Sequence, residues 1–290
     1  KKEVPQLFNI YKLKMKGGGN PKEISKQMSK EQEVEYAEPD YKIYSMETHP
    51  DDPLYQNGSQ DYLKTINAPA AWDSTSADST EVIGIIDTGV DWDHPDLDDN
   101  IWSNPGEIPG NGIDDDGNGY VDDVRGWDFI NNDNDPDDDN SHGTHVAGIA
   151  AAEGNNGTGI TGVAYNASIM PIKVLQSSGT GNSSDLAQAI NYASNKGASV
   201  INMSLGSYGE SMTVKSSLEN AYAGTGDNKG SMLVAAAGND GQCICNDCGL
   251  CATMFPAGYP FVLGIQADAN FSNHDPTGPI EYTHPDGFNY

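Results

Sequence analysis

Basic residues are scarce in this chain. Against 43 Asp and Glu there are 15 Lys and Arg, for a formal net charge of -28 over 290 residues. A surface of that sign repels phosphate, so nucleic acid and anionic membranes are excluded as partners. Cysteine is nearly absent: the four present all fall between Cys243 and Cys251 and speak for one loop only. No stretch is long and apolar enough to span a bilayer. No signal peptide is visible, and the first residue is not Met.

The few basic residues are unevenly placed. Eight of the 15 are Lys1, Lys2, Lys12, Lys14, Lys16, Lys22, Lys26 and Lys30. A basic leader on an acidic body reads as a separate module with an electrostatic partner in the same chain. Residues 1–46 read as a small α+β unit. Leu7 to Met15 alternates as a half-buried strand, Pro21 to Lys30 carries Ile24 and Met28 on one helix face, and Val34 to Pro39 reads as a second strand. Residues 47–59 are polar and contain Pro, as a linker or processing region does. Residues 60–290 form the main domain.

From Glu81 the pattern becomes strand, loop, helix, repeated. Continuous apolar runs at Val82–Ile86, Ser168–Leu175, Ser199–Gly206, Met232–Asn239 and Phe261–Ile265 suit strands covered on both faces. Pro171 marks the second of these as an edge or a strand start. Helices are expected over Asp185–Lys196, capped by Ser184 and stopped by Gly197, and over Thr213–Ala223. The fold class is α/β, a doubly wound and mostly parallel sheet whose ligands bind at strand carboxyl ends.

Three residues at such positions carry chemistry. Asp87 ends an apolar strand in Asp87-Thr88-Gly89, where a carboxylate is partly desolvated and able to accept from an imidazole N–H. The plainer alternative is an Asp bonding its own turn. His142 stands where an acidic loop enters the alanine-rich helix His142 to Ala152, a suitable place for a proton-transfer group. His145, three residues on, lacks the third partner that a two-histidine metal site needs. Asn239, after Ala236-Ala237-Gly238, can donate to a developing oxyanion or simply close a turn.

Taken together and in order, Asp87-Thr88-Gly89, His142-Gly143-Thr144-His145-Val146-Ala147-Gly148, Asn202-Met203-Ser204-Leu205-Gly206 and Ala236-Ala237-Gly238-Asn239 closely resemble the motifs of the subtilisin-like serine peptidases. The resemblance covers most of residues 50–270. It implies that Asp87 orients His142, that His142 is the general base and acid, and that Asn239 lines an oxyanion hole. It implies that Gly179-Thr180-Gly181 and Ser204-Leu205-Gly206 sandwich an extended peptide, with Ala236, Ala237 and Gly238 as a side-chain wall. Residues 1–46 then look like the tail of an inhibitory propeptide, and the enzyme like a secreted, monomeric endopeptidase acting on polypeptides. One part departs from the family pattern. The nucleophile's Gly-Thr-Ser-Met-like motif is absent, and Ser272 is the one serine after Asn239. The expectation is therefore a fragment covering the propeptide tail and about two-thirds of the peptidase domain, inactive by itself. The rivals are a non-catalytic calcium- and peptide-binding module on the same fold and, ranked last, a nucleotide-binding domain. For the last, the acidic Asp87-Thr88-Gly89-Val90-Asp91 would repel phosphate.

Calcium is the expected ion. Asp114, Asp116, Asn118 and Asp122 stand at the oxygen positions of a calcium loop, with Tyr120 among them and Gly119 at the sharp turn. Arg125 replaces the closing Glu. Asp133, Asp135, Asp137, Asp138 and Asp139 form a second cluster, read as another ion site or as a field on His142. The resemblance adds a site from Asp52, Asp96 and Asn156, with Asn155 competing for the last place. Cys243, Cys245, Cys248 and Cys251 suit two disulfides, a metal knuckle or free thiols, and these remain open.

Overall fold

A computed structural model gives the fold. The structure describes residues 11–14, 19–41, 48–224, 229–239 and 254–265. The chain divides into two compact units, Lys1–Met46 and Glu47–Tyr290. In the first, α1 (Pro21–Met28) begins with Pro at its first turn and with the Asn20 side chain accepting from Lys22 N at 3.0 Å. Ile24 and Met28 are half-buried, as their helical spacing requires. The strand expected over Val34–Pro39 does not form. Ala37 N–H donates to Ser29 Oγ at 3.0 Å instead of to a neighbouring strand. The strand expected over Leu7–Met15 falls largely outside the described residues, and the part within them, Tyr11–Lys14, is irregular.

The second unit opens with three short helices, α2 (Pro53–Gln56), α3 (Asp61–Thr65) and α4 (Ala68–Trp72). Within the expected linker region, Pro53–Gln56 is thus helical and Tyr55 is buried. Tyr55 is buried against Trp72, Trp72 against Tyr165, and Trp72 Nε1 donates to Val163 O at 2.8 Å.

The sheet contains β1 (Val82–Asp87), β2 (Trp127–Asp128), β3 (Ser168–Lys173), β4 (Val200–Met203), β5 (Met232–Ala236) and β6 (Leu263–Ile265). Their order is β2-β3-β1-β4-β5-β6, and every pairing is parallel. Ile85 and Ile86 are both fully buried on opposite faces of β1. Ile85 packs with Ala147 and Ala151 of α5 (His142–Ala151), and Ile86 belongs to the core shared with α6 (Ser183–Asn195) and α7 (Met212–Ala223). That is the doubly wound arrangement. From β1 the chain passes to β2 and β3 on one side and returns to β4 on the other, so the carboxyl end of β1 is the switch point where a crevice opens.

Two expectations need correction. Pro171 lies inside the sheet, between β2 and β1. Trp102 N–H donates to Ile169 O and Phe129 N–H to Lys173 O, so Pro171, of the same parity, turns its donorless nitrogen to that same side. There β2 begins only opposite Ile172, and no ladder bond is lost. Helix α6 starts one residue before Ser184, with Asn182 at its N-cap.

Helix α5 can sit against β1 because Gly143 has no side chain. A Cβ there would lie 2.0 Å from Gly89 O. On an open helix Gly→Ala gains about 0.5–1 kcal/mol. Here Gly143→Ala is expected to destabilise by about 1–3 kcal/mol through overpacking. Urea unfolding reads the sign directly, and a stabilised variant would contradict the packing.

Candidate active site

Asp87 is the last residue of β1 and is fully buried. Its Oδ1 lies 2.7 Å from His142 Nδ1, at the first position of α5, and accepts from Thr88 N–H at 2.7 Å. Oδ2 is buried without a hydrogen-bond partner. Burial pushes the Asp87 carboxyl above the ordinary carboxylate range, and the bonds from His142 and Thr88 pull it back. With Asp87 ionised, Nδ1 carries the hydrogen and the lone pair belongs to Nε2. The ring itself is 49% exposed. The arrangement is a fixed acceptor behind a ring whose free nitrogen is accessible, which suits proton transfer.

The ring is held by its surroundings. Ser141, just before it, has φ 82°, a left-handed conformation unusual for a non-glycine residue. Its N–H and that of Asn140 both donate to Asp138 Oδ1, at 3.0 and 2.9 Å. Asp138 Oδ2 accepts from Thr144 N–H at 2.9 Å and Thr144 Oγ1 at 2.6 Å. Thr88 Oγ1 accepts from Gly143 N–H at 2.9 Å and donates to Asp138 at 2.8 Å. Asp138 therefore caps α5 in place of Ser141, which makes no capping bond of its own. Burial raises the Asp138 carboxyl, but the bonds from Thr144, Asn140 and Thr88 together hold it below its usual range. Lys173, buried opposite Asp87 on β3, donates to Thr88 O and to Asp139 Oδ1. Asp138 and Asp139 are thus engaged by this network rather than left for a cation.

His142 opens on a groove of about 850 Å³. Gly179, Thr180 and Gly181 line it, as do Ser204, Leu205 and Gly206, so both expected peptide-binding segments reach the same groove as His142. Ala236, Ala237, Gly238 and Asn239 are not among its lining residues. Met203 pairs with Ala235, and Ala236 ends β5, so Ala237, Gly238 and Asn239 run off its carboxyl end beside β4, where Asn239 is exposed. His145 is exposed on α5.

A model of the subtilase family matches residues 78–280. The chain belongs to the subtilase family. It is 39% identical over 277 residues to a thermophilic serine proteinase of Bacillus sp. (strain AK1), covering 93% of this chain and 59% of that one. It is 41% identical over 216 residues to thermitase of Thermoactinomyces vulgaris, covering 74% of this chain and 64% of that one. A solved structure of a cold adapted subtilisin-like serine proteinase is 28% identical, with a TM-score of 0.49, covering 67% of this chain and 57% of that chain. The chain thus spans less than two thirds of the length of these relatives.

Within this subtilase the acidic loop gathers three carboxylates. Ligand oxygens of Glu107, Asp114 and Asp116 lie within 4.8 Å of one another. All are hard donors, which fits calcium. Glu107 went unnoticed in the sequence because it precedes the loop pattern. Lys196 already pairs with Asp116. Asp122 turns its carboxylate to the N–H groups of Asn111 and Gly112, Asn118 Oδ1 accepts from Tyr120 N–H, and the Tyr120 ring packs on Trp127. The second expected set is also brought together. Asp52 and Asp96 are buried, and both accept from Asn156, Asp52 from its backbone N–H and Asp96 from its side-chain amide. Asn156 Oδ1 accepts from Thr158 N–H, and Asn155 reaches Asp52 through its backbone N–H. Burial raises the Asp52 carboxyl, and the backbone N–H bonds from Asn155 and Asn156 partly offset this. Cys243, Cys245, Cys248 and Cys251 lie outside the described residues.

The cap yields a pH-dependent test. Asp138 has a depressed folded pKa, so its contribution is present above the unfolded value of about 3.9 and fades as pH falls through the folded value. Asp138→Ala is expected to cost about 1–2 kcal/mol at neutral pH. The gap from the parent should narrow in acid. Urea midpoints across pH measure this, and a gap that widens in acid would contradict the assignment.

Proposed function

We propose that this subtilase chain is part of a calcium-stabilised serine endopeptidase, carrying the acid and the base of an Asp-His-Ser triad. The observation that carries the reading is the 2.7 Å contact between His142 Nδ1 and Asp87 Oδ1 at the sheet's switch point. In this reading Asp87 orients the ring and stabilises the imidazolium. His142 Nε2 takes the proton of a serine hydroxyl as that oxygen attacks the peptide carbonyl, then gives the proton to the departing amine. Asn239 donates to the oxyanion. The serine lies outside these 290 residues, in keeping with the 59% and 64% coverage of the two relatives.

The substrate is a polypeptide lying extended between Gly179–Gly181 and Ser204–Gly206. Internal packing holds both segments in place: a Cβ on Gly181 would lie 2.1 Å from Val174 O, and one on Gly206 2.7 Å from Met254 Sδ. Residues 1–46 act as the tail of a propeptide. The enzyme is secreted and works as a monomer. Calcium is held by Glu107, Asp114 and Asp116 and near Asp52 and Asp96, where it supplies positive charge to buried or crowded carboxylates.

A non-catalytic peptide-binding module on the same fold is the second reading, supported by the groove that Gly179–Gly181 and Ser204–Gly206 line. Fluorophosphonate labelling separates the two. The full-length protein is expected to label and cleave peptides, His142→Ala to do neither, and the 290-residue chain to remain unlabelled. A full-length protein that binds peptides without labelling would establish the module. Removing calcium with a chelator is expected to lower stability by about 3 kcal/mol relative to calcium at a hundredfold its dissociation constant. Thermal unfolding should recover with calcium and not with magnesium; an unchanged midpoint would remove calcium from the account.

A further inference from the structure

Part of the groove is apolar and firmly built. Leu186 of α6, Val214 of α7, Phe255 and Tyr259 line it. Phe255 is fastened by two hydrogen bonds with Ser207, N–H to carbonyl in each direction at 2.8 Å. The Phe255 and Tyr259 ring centroids lie 4.8 Å apart, and Tyr259 OH donates to Ser211 O. Among the described residues lining the groove, Glu210 is the one formal charge apart from the His142 ring. It stands next to Ser211, the N-cap of α7, where a helix favours negative charge. An apolar wall ending in a half-exposed carboxylate fits a long aliphatic stem with a cationic head.

The chain already contains a group of this chemistry nearby. Lys215 Nζ lies 3.8 Å from Glu210 Oε1 and 5.6 Å from the centre of the Tyr259 ring. Its contact with Glu210 is at the far limit of an ion pair, and both side chains are substantially solvated, so the pair is weak and exchangeable.

Resting on the endopeptidase reading, we propose that Glu210 is a specificity-determining residue, selecting peptides that place a lysine or arginine on the Leu186–Tyr259 wall with its charge at Glu210. Lys215 competes for the same carboxylate and so moderates the preference. The acidic body reinforces it by drawing cationic chains toward the groove, an effect that salt weakens.

The test compares lysine with norleucine, which keeps the stem and removes the charge. Each is placed singly at successive positions of one peptide, and kcat/KM is measured with the full-length protein; peptide binding is followed by fluorescence anisotropy in parallel. At one position lysine is expected to be favoured by about fivefold at low salt, the scale of a single exposed ion pair. Glu210→Gln should erase that ratio while leaving the norleucine peptide unaffected. Lys215→Ala should enlarge it. Equal ratios in parent and Glu210→Gln, or a ratio that Lys215→Ala lowers, would overturn the inference and leave the peptidase reading standing. Absence of both turnover and binding for every peptide would overturn the peptidase reading and this inference with it.

Discussion

One hydrogen bond organises the molecule: a fully buried carboxylate accepting from a half-exposed imidazole. Asp87 loses solvation at the tip of β1 and is compensated by two short contacts, from His142 and from Thr88 N–H. A buried charge with so few partners tolerates little displacement of either. The rest of the site keeps those partners in place. Gly143 lets α5 approach Gly89, Thr88 Oγ1 receives the helix's second N–H, Asp138 holds the strained turn at Ser141, and Lys173 fastens Thr88 O from the neighbouring strand. Strain of this kind persists where the surroundings over-determine it.

The excess of acid is less free than its number implies. Asp123, buried, accepts from Asn104, Asn118 and the Tyr192 hydroxyl and lies 3.4 Å from Lys196. Burial, with Asp123 beside it, drives the Tyr192 phenol far above its ordinary range, so it remains a donor. The acidic loop is therefore bound to α6 by its own network, and a cation at Glu107, Asp114 and Asp116 would add to a structure already ordered. This links the charge pattern to the sheet that carries Asp87, since Tyr120 and Tyr192 meet edge-on above the same core.

Much of this was legible in the sequence, for physical reasons. Strands buried on both faces read as unbroken apolar runs, so β1, β3, β4 and β5 stand out. Helices α6 and α7 carry ordinary periodicity and caps. Asp87 and His142 are legible because each occurs where an apolar element meets a polar one. Lys173 was not, because a lone lysine inside an apolar run gives no hint of the Thr88 carbonyl it will meet. Asp138 was lost in a row of similar acids, where composition cannot say which one faces the helix. Pro171 misled because its missing donor matters only on the side where the neighbouring strand is present. The strand at Val34–Pro39 needed a partner edge, which local alternation cannot supply.

The central claim is that Asp87 fixes the His142 ring in one tautomer before any substrate arrives. Nitrogen-15 NMR of the histidine-labelled 290-residue chain near neutral pH tests this most directly. The account predicts that His142 shows a protonated Nδ1 and a bare Nε2, and that Asp87→Ala lets the ring average between tautomers. A bare Nδ1 with a protonated Nε2 in the parent chain, or a ring unchanged by Asp87→Ala, would contradict it.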